Sequence, residues 1–144
     1  IRAAKKDDAA DLRYDIECTE SGTDGNYLIK VWVYAKKAKV SSDQIKSRAV
    51  HGVLFKGYAG APGKCTAQKA LLSTSQSDHA EFFNAFFAAN GDYLKYVTLV
   101  SATPETIKIG KKDFKIGMVV SVAKDKLRQD LEKAGIKEGL SSRF

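Results

Sequence analysis

A chain of 144 residues with 44% hydrophobic and 28% charged side chains has the size and balance of one globular domain, able to bury roughly 70% of the surface its unfolded chain exposes. That balance excludes a disordered chain and a fold that needs a metal cluster or dense disulfides. The longest weakly charged stretch, 80 to 93, is already broken by Glu81 and Asp92, which excludes a spanning helix there.

Residues 1 to 10 are Ala-rich and charged and read as a flexible lead-in. From Leu12 the pattern alternates, with Leu12, Tyr14, Ile16 and Cys18 on one face and Arg13, Asp15 and Glu17 on the other, the mark of a half-buried strand. Residues 19 to 26 have turn composition, and Tyr27 to Ala35 follows as a β-branched and aromatic run, so the two strands form a hairpin. Ser41-Ser42-Asp43 supplies the oxygen that caps a helix running to about Lys56, with Ala49 and Gly52 small enough to let it lie close to a sheet. Gly57 to Lys64 ends it in a loop.

Ser77-Asp78, with Glu81 completing a capping box, opens a second helix expected over 78 to 89. Phe82, Phe83, Phe86 and Phe87 share a stripe on it, read as a core face rather than a ligand or partner groove, with Phe82 and Phe86 expected to be mostly buried. Asn90-Gly91 stops it. Tyr93 to Ala102 reads as a third strand and Phe114 to Ala123 as a fourth, with Ile107 and Ile109 extending the hairpin between them. Lys124 to Ala134 is the last helix, with Leu127 and Leu131 inward. Val31, Val33 and Val120 join the expected core. The fold class is therefore α+β: a largely antiparallel four-stranded sheet with helices on one face, in the order β-β-α-α-β-β-α. The domain spans 11 to 137, and 138 to 144 is a polar tail.

Little in this pattern carries chemistry. Gly60 to Thr66 looks like a phosphate loop, but a Walker loop needs Gly, four residues, then Gly-Lys-Ser/Thr. Here Tyr58 and Cys65 hold the first and last of those positions, and a helix rather than a strand precedes the loop. The plain reading is a solvent loop. His51 and His79 stand 28 residues apart without ligand spacing, so no metal or other cofactor is expected. No nucleophile, base and orienting group are grouped, and no catalytic residue is assigned. Cys18 and Cys65 leave two alternatives, a disulfide or two free thiols.

The net charge of +7 and a pI of about 9.4 would suit a polyanion partner. Basic residues are nevertheless interleaved with acidic ones along the chain, and the densest region, 108 to 144, still carries five Asp/Glu against ten Lys/Arg. One candidate binding face does emerge. If helices cover the Tyr27, Ile29, Val31 and Val33 side of the second strand, then Lys30, Trp32 and Tyr34 stand on the open side, where rings beside lysine could stack bases or sugars.

Three segments, Gln44 to Gly60, His79 to Phe87 and Leu127 to Ile136, resemble a pattern found in uncharacterised small exported bacterial cell-envelope proteins. The resemblance implies a periplasmic or secreted location, with a leader removed before Ile1 or an attachment to the membrane through it. That location favours the disulfide of the two alternatives for Cys18 and Cys65. It brings no enzymatic activity and no functional residues. The expected function is a non-catalytic interaction or assembly module, with a protein partner or self-association in the envelope and no transmembrane segment. The alternative is a nucleic-acid or polyanion-binding module using the basic, aromatic face.

Overall fold

The computed structural model describes residues 13–20, 25–63, 65–73 and 75–136. The lead-in at 1–10, Leu12 and the tail at 138–144 lie outside them, as do residues 21–24 of the first turn.

Alternating β-branched and aromatic residues form two nine-residue strands, β2 (Tyr27–Ala35) and β5 (Phe114–Val122). They pair antiparallel over their whole length, from Tyr27 opposite Val122 to Ala35 opposite Phe114. β1 (Tyr14–Glu20) pairs with the outer side of β2, with a register slip between Cys18 and Glu20. On the other side of β5 lie β3 (Val97–Leu99) and β4 (Glu105–Lys108), end to end. Between these two, the N–H groups of Val100 and Ser101 both donate to the Val119 carbonyl, and Ser101 Oγ accepts the Val119 N–H at 2.8 Å. β3 and β4 are thus one edge strand interrupted near Pro104. The sheet is antiparallel throughout, in the order β1-β2-β5-β3 with β4 also on β5. The fifth strand is the Ile107 segment that extends the second hairpin.

The main helix, α1 (Ser42–Phe55), starts where Ser41 Oγ accepts the Gln44 N–H at 3.1 Å. Its last turn leaves carbonyls without helical partners. Those of Val53 and Leu54 accept the N–H groups of Leu71 and Leu72, at 3.0 and 2.9 Å, from the loop that returns beneath it. A Cβ on Gly52 would lie 1.8 Å from Ile16 Cδ1, so the missing side chain is what lets α1 approach β1 this closely. α2 (Ala80–Phe86) and α3 (Lys124–Lys133) complete the helical side. Ile29, Val31, Val33, Val120, Ile45, Val50, Leu127 and Leu131 meet in one core between sheet and helices.

Three expectations need correction. α2 is shorter than 78–89: a 3-10 turn at Gln76–His79 precedes it, and the capping box falls three residues earlier, closed by Asp78 instead of Glu81, where Asp78 Oδ2 accepts the Ser75 N–H at 3.0 Å. Its innermost ring belongs to Phe83, which is fully buried, whereas Phe82 is half-buried. The third strand begins at Val97 because Asp92–Tyr96 is a 3-10 turn. Three residues per turn bring Tyr93 and Tyr96 to the same side, and both are buried. α2 ends at Phe86, with Phe87 as its C-cap, ahead of the expected Asn90-Gly91 stop, and Asn90 takes the left-handed conformation, with φ of 61°, in the turn that follows. Among the described residues no helix is long and apolar enough to cross a membrane.

Candidate functional site: the helix-free face of the sheet

Side-chain alternation puts Tyr14, Ile29, Val31 and Val120 toward the helices, and so sends Arg13, Asp15, Glu17, Lys30, Trp32, Tyr34, Lys115 and Val119 to the opposite face. Register arranges that face in rows. Trp32 sits between Asp15 on β1 and Gly117 on β5, with Glu105 of β4 next along. In the adjacent row Lys115 lies between Tyr34 and Ile107.

The three residues singled out from the sequence are therefore neighbours, but Trp32 is not an open plate. It is 6% exposed. Lys30 Nζ and Lys115 Nζ stand 4.3 and 4.5 Å from its ring centroids, each attracted by the negative π face. Lys30 is also ion-paired with Glu105. Tyr34 is roofed in the same way by the Arg13 guanidinium at 4.2 Å, and its hydroxyl donates to Asp15 Oδ2 at 2.5 Å. That hydrogen bond to a carboxylate pushes the Tyr34 hydroxyl above its ordinary pKa. The face is a layer of rings capped by cations whose charges are partly matched by Asp15 and Glu105. A planar ligand would have to displace Lys30 and Lys115 before it touched the Trp32 ring.

Gly117 makes this arrangement fit. A Cβ there would come within 2.7 to 2.9 Å of three Trp32 ring atoms. Gly117→Ala is expected to push the indole off the sheet and destabilise the fold by about 1–3 kcal/mol. Because Trp32 is the sole tryptophan of the chain, its fluorescence reports the change: acrylamide quenching rises and the emission moves to longer wavelength. Unchanged quenching would mean that the ring does not rest on Gly117.

The other side of the molecule holds a polar group that sequence spacing did not reveal. The Tyr14 hydroxyl on β1 hydrogen-bonds His51 Nδ1 on α1, and both residues are buried. Phe55 and Phe87 pack on the imidazole, with ring centroids 5.0 and 6.1 Å away. Arg48, one turn earlier and also buried, reaches Ser47 Oγ at 3.3 Å. Burial, helped by the charges of Lys56 and Arg48 and opposed by a hydrogen bond with Gln76, lowers the His51 pKa to about 4. At neutral pH it is an uncharged packing residue holding β1 to α1. Burial likewise drives the Tyr14 hydroxyl well above its usual range.

This shift has a sign for stability. The unfolded chain, with His51 near 6.5, takes up its proton before the folded chain does. Stability is therefore complete above about 6.5 and falls by up to about 1.4 kcal/mol per pH unit toward pH 4. Denaturant unfolding of His51→Gln across that window is expected to lose the slope. A slope equal to the parent's would assign it to other groups.

Cys18 and Cys65 form a disulfide, with Cα atoms 6.3 Å apart. The segment that looked like a phosphate loop is a small hairpin in which Ala61 and Cys65 exchange backbone hydrogen bonds at 3.0 and 3.1 Å. Its Cys65 sulfur is bonded to β1. Tyr58 and Gln68 pair at its base, and the Tyr27 hydroxyl donates to Gln68 Oε1 at 2.9 Å. Burial raises the Tyr58 hydroxyl to about 12. Among the described residues no group of three or more His, Cys, Asp or Glu is placed to hold a metal ion.

Comparison with protein-family models, with curated proteins and with solved structures finds no match to the chain. The resemblance carried by Gln44–Gly60, His79–Phe87 and Leu127–Ile136 stands on those residues alone.

Proposed function

We propose that the chain is a non-catalytic interaction module of an oxidising compartment, exported to the cell envelope or beyond, which meets its partner through the helix-free face of its sheet. The observation that carries the reading is the Cys18–Cys65 crosslink, since thiols are kept reduced in the cytosol and pair where export delivers them. The choice of face follows from strand alternation, which turns Arg13, Lys30, Tyr34 and Lys115 away from the helices and leaves each of them at least partly exposed. Base stacking on Trp32 is the weaker alternative, because the ring already lies under two ammonium groups.

The test has two arms. Protein isolated from its own host with thiols blocked before lysis is expected to weigh two hydrogens less than the reduced chain. Two alkylated cysteines would remove the oxidising compartment from the reading. A photo-crosslinking residue at position 34 is expected to give one defined adduct in living cells, and one at the exposed Lys95, away from this face, none. Adducts of equal yield and pattern from both positions would remove the face.

A further inference from the structure

Two lysine runs far apart in sequence meet at one end of the sheet. β2 ends at Ala35, which pairs with Phe114 at the start of β5, and Phe114 also pairs with Lys108 at the end of β4. The turn after β2 (Lys36, Lys37, Lys39) and the β4–β5 turn with the strand end that enters it (Lys108, Lys111, Lys112) therefore lie side by side at this end of the sheet. Lys36 Nζ bonds Asp113 Oδ1 at 2.5 Å and ties the turns together. These turns hold six lysines against one aspartate, a local charge of +5 in a chain of net +7. All six lysines are exposed, and among the described residues Lys36 alone of the six is ion-paired.

Where the β4–β5 turn begins stands Ile109, 48% exposed, one of two large apolar side chains so open among the described residues. Its position is fixed by its own N–H, which donates to the Asp113 carbonyl at 2.9 Å and closes the turn Gly110-Lys111-Lys112. An exposed apolar side chain at a hydrogen-bonded turn, in a segment rich in exposed lysines, suits an anionic surface with an apolar interior. Lysine stems reach headgroup phosphates while the isoleucine enters the acyl boundary. A second copy of the chain would bring the same positive charge and be repelled. A nucleic acid would be served by an open ring to stack on, and neither turn carries one.

We infer that this end of the sheet is a docking surface for an anionic lipid membrane, engaged by Lys37, Lys39, Lys108, Lys111 and Lys112 around Ile109. The inference does not depend on the reading of the helix-free face. The experiment is flotation of the full chain with vesicles of phosphatidylcholine alone or with about one third phosphatidylglycerol. Binding is expected only to the anionic vesicles, and it falls as salt screens the charges. Lys111→Gln and Lys112→Gln each weaken it about fivefold, whereas Lys95→Gln leaves it unchanged. Ile109→Ser weakens vesicle binding but leaves binding to soluble heparin as it was. Equal binding to both vesicle types, or equal losses from Lys95 and the turn lysines, would overturn the inference. So would retention of single-stranded RNA by the same lysines without vesicle binding, which would reassign the surface to nucleic acid.

Discussion

Reducing the Cys18–Cys65 bond is expected to lower the unfolding free energy by about 4 kcal/mol, the chain-entropy value for a loop of this length. The bond spans 47 residues and joins the end of β1 to the tip of the 58–68 hairpin. Among the described residues that hairpin has few other anchors, the packing of Tyr58 against the core being one. Its backbone makes two isolated bridges, Tyr58 with Gln68 and Ala61 with Cys65, and its further anchors are the Tyr27–Gln68 hydrogen bond and the Tyr27–Tyr58 ring contact at 5.4 Å. Nothing between Gly57 and Leu71 is fully buried among the described residues. Without the crosslink the hairpin is expected to open locally, and amide exchange at Ala61 and Cys65 should rise more than exchange in β2 or β5. Guanidinium unfolding of oxidised and Cys18→Ala/Cys65→Ala protein measures the global part. A difference below about 1 kcal/mol would show that strain in the folded state offsets the entropic gain.

What the sequence disclosed follows from the range of the interactions involved. β2 and β5 were readable because their period-two alternation is local and long. α1 was readable from the Ser41 cap and the small residues Ala49 and Gly52, and the positive φ of Asn90 from its tolerance of that conformation, although α2 ends four residues earlier, at Phe86. Tyr93–Tyr96 misled because aromatic composition favours a strand, whereas the tertiary need was to bury two tyrosines three residues apart. The candidate site was legible only by parity. Lys30, Trp32 and Tyr34 share a face as expected, but the roof over Trp32 comes partly from Lys115, which only the β2–β5 register brings there. The same register assembles the lysine tip from runs more than sixty residues apart. The Tyr14–His51 pair spans 37 residues and likewise leaves no local signal.

Phe83→Ala is expected to destabilise the protein by about 3–5 kcal/mol, and Phe82→Ala by clearly less. α2 has only seven residues, too few to persist as an isolated helix in water, so its stability comes from what it buries. Phe83 is 0% exposed. Its ring meets Phe55 of α1 edge-on at 5.2 Å, Phe86 edge-on at 5.8 Å and Phe87 stacked at 6.0 Å, and Phe86 passes the contact on to Tyr96 at 6.0 Å. Removing it opens a cavity at the junction of α1, α2 and the 3-10 turn before β3, where neighbouring rings are too rigid to close in. Phe82 touches Phe83 and Phe86 at 4.9 and 5.6 Å but keeps one side in solvent, so truncation loses contacts without enclosing a void. Denaturant unfolding of the two single variants distinguishes the positions. If Phe82→Ala costs as much as Phe83→Ala or more, α2 is rotated about its axis from the orientation described here, and the aromatic core must be rebuilt around Phe82 and Phe86.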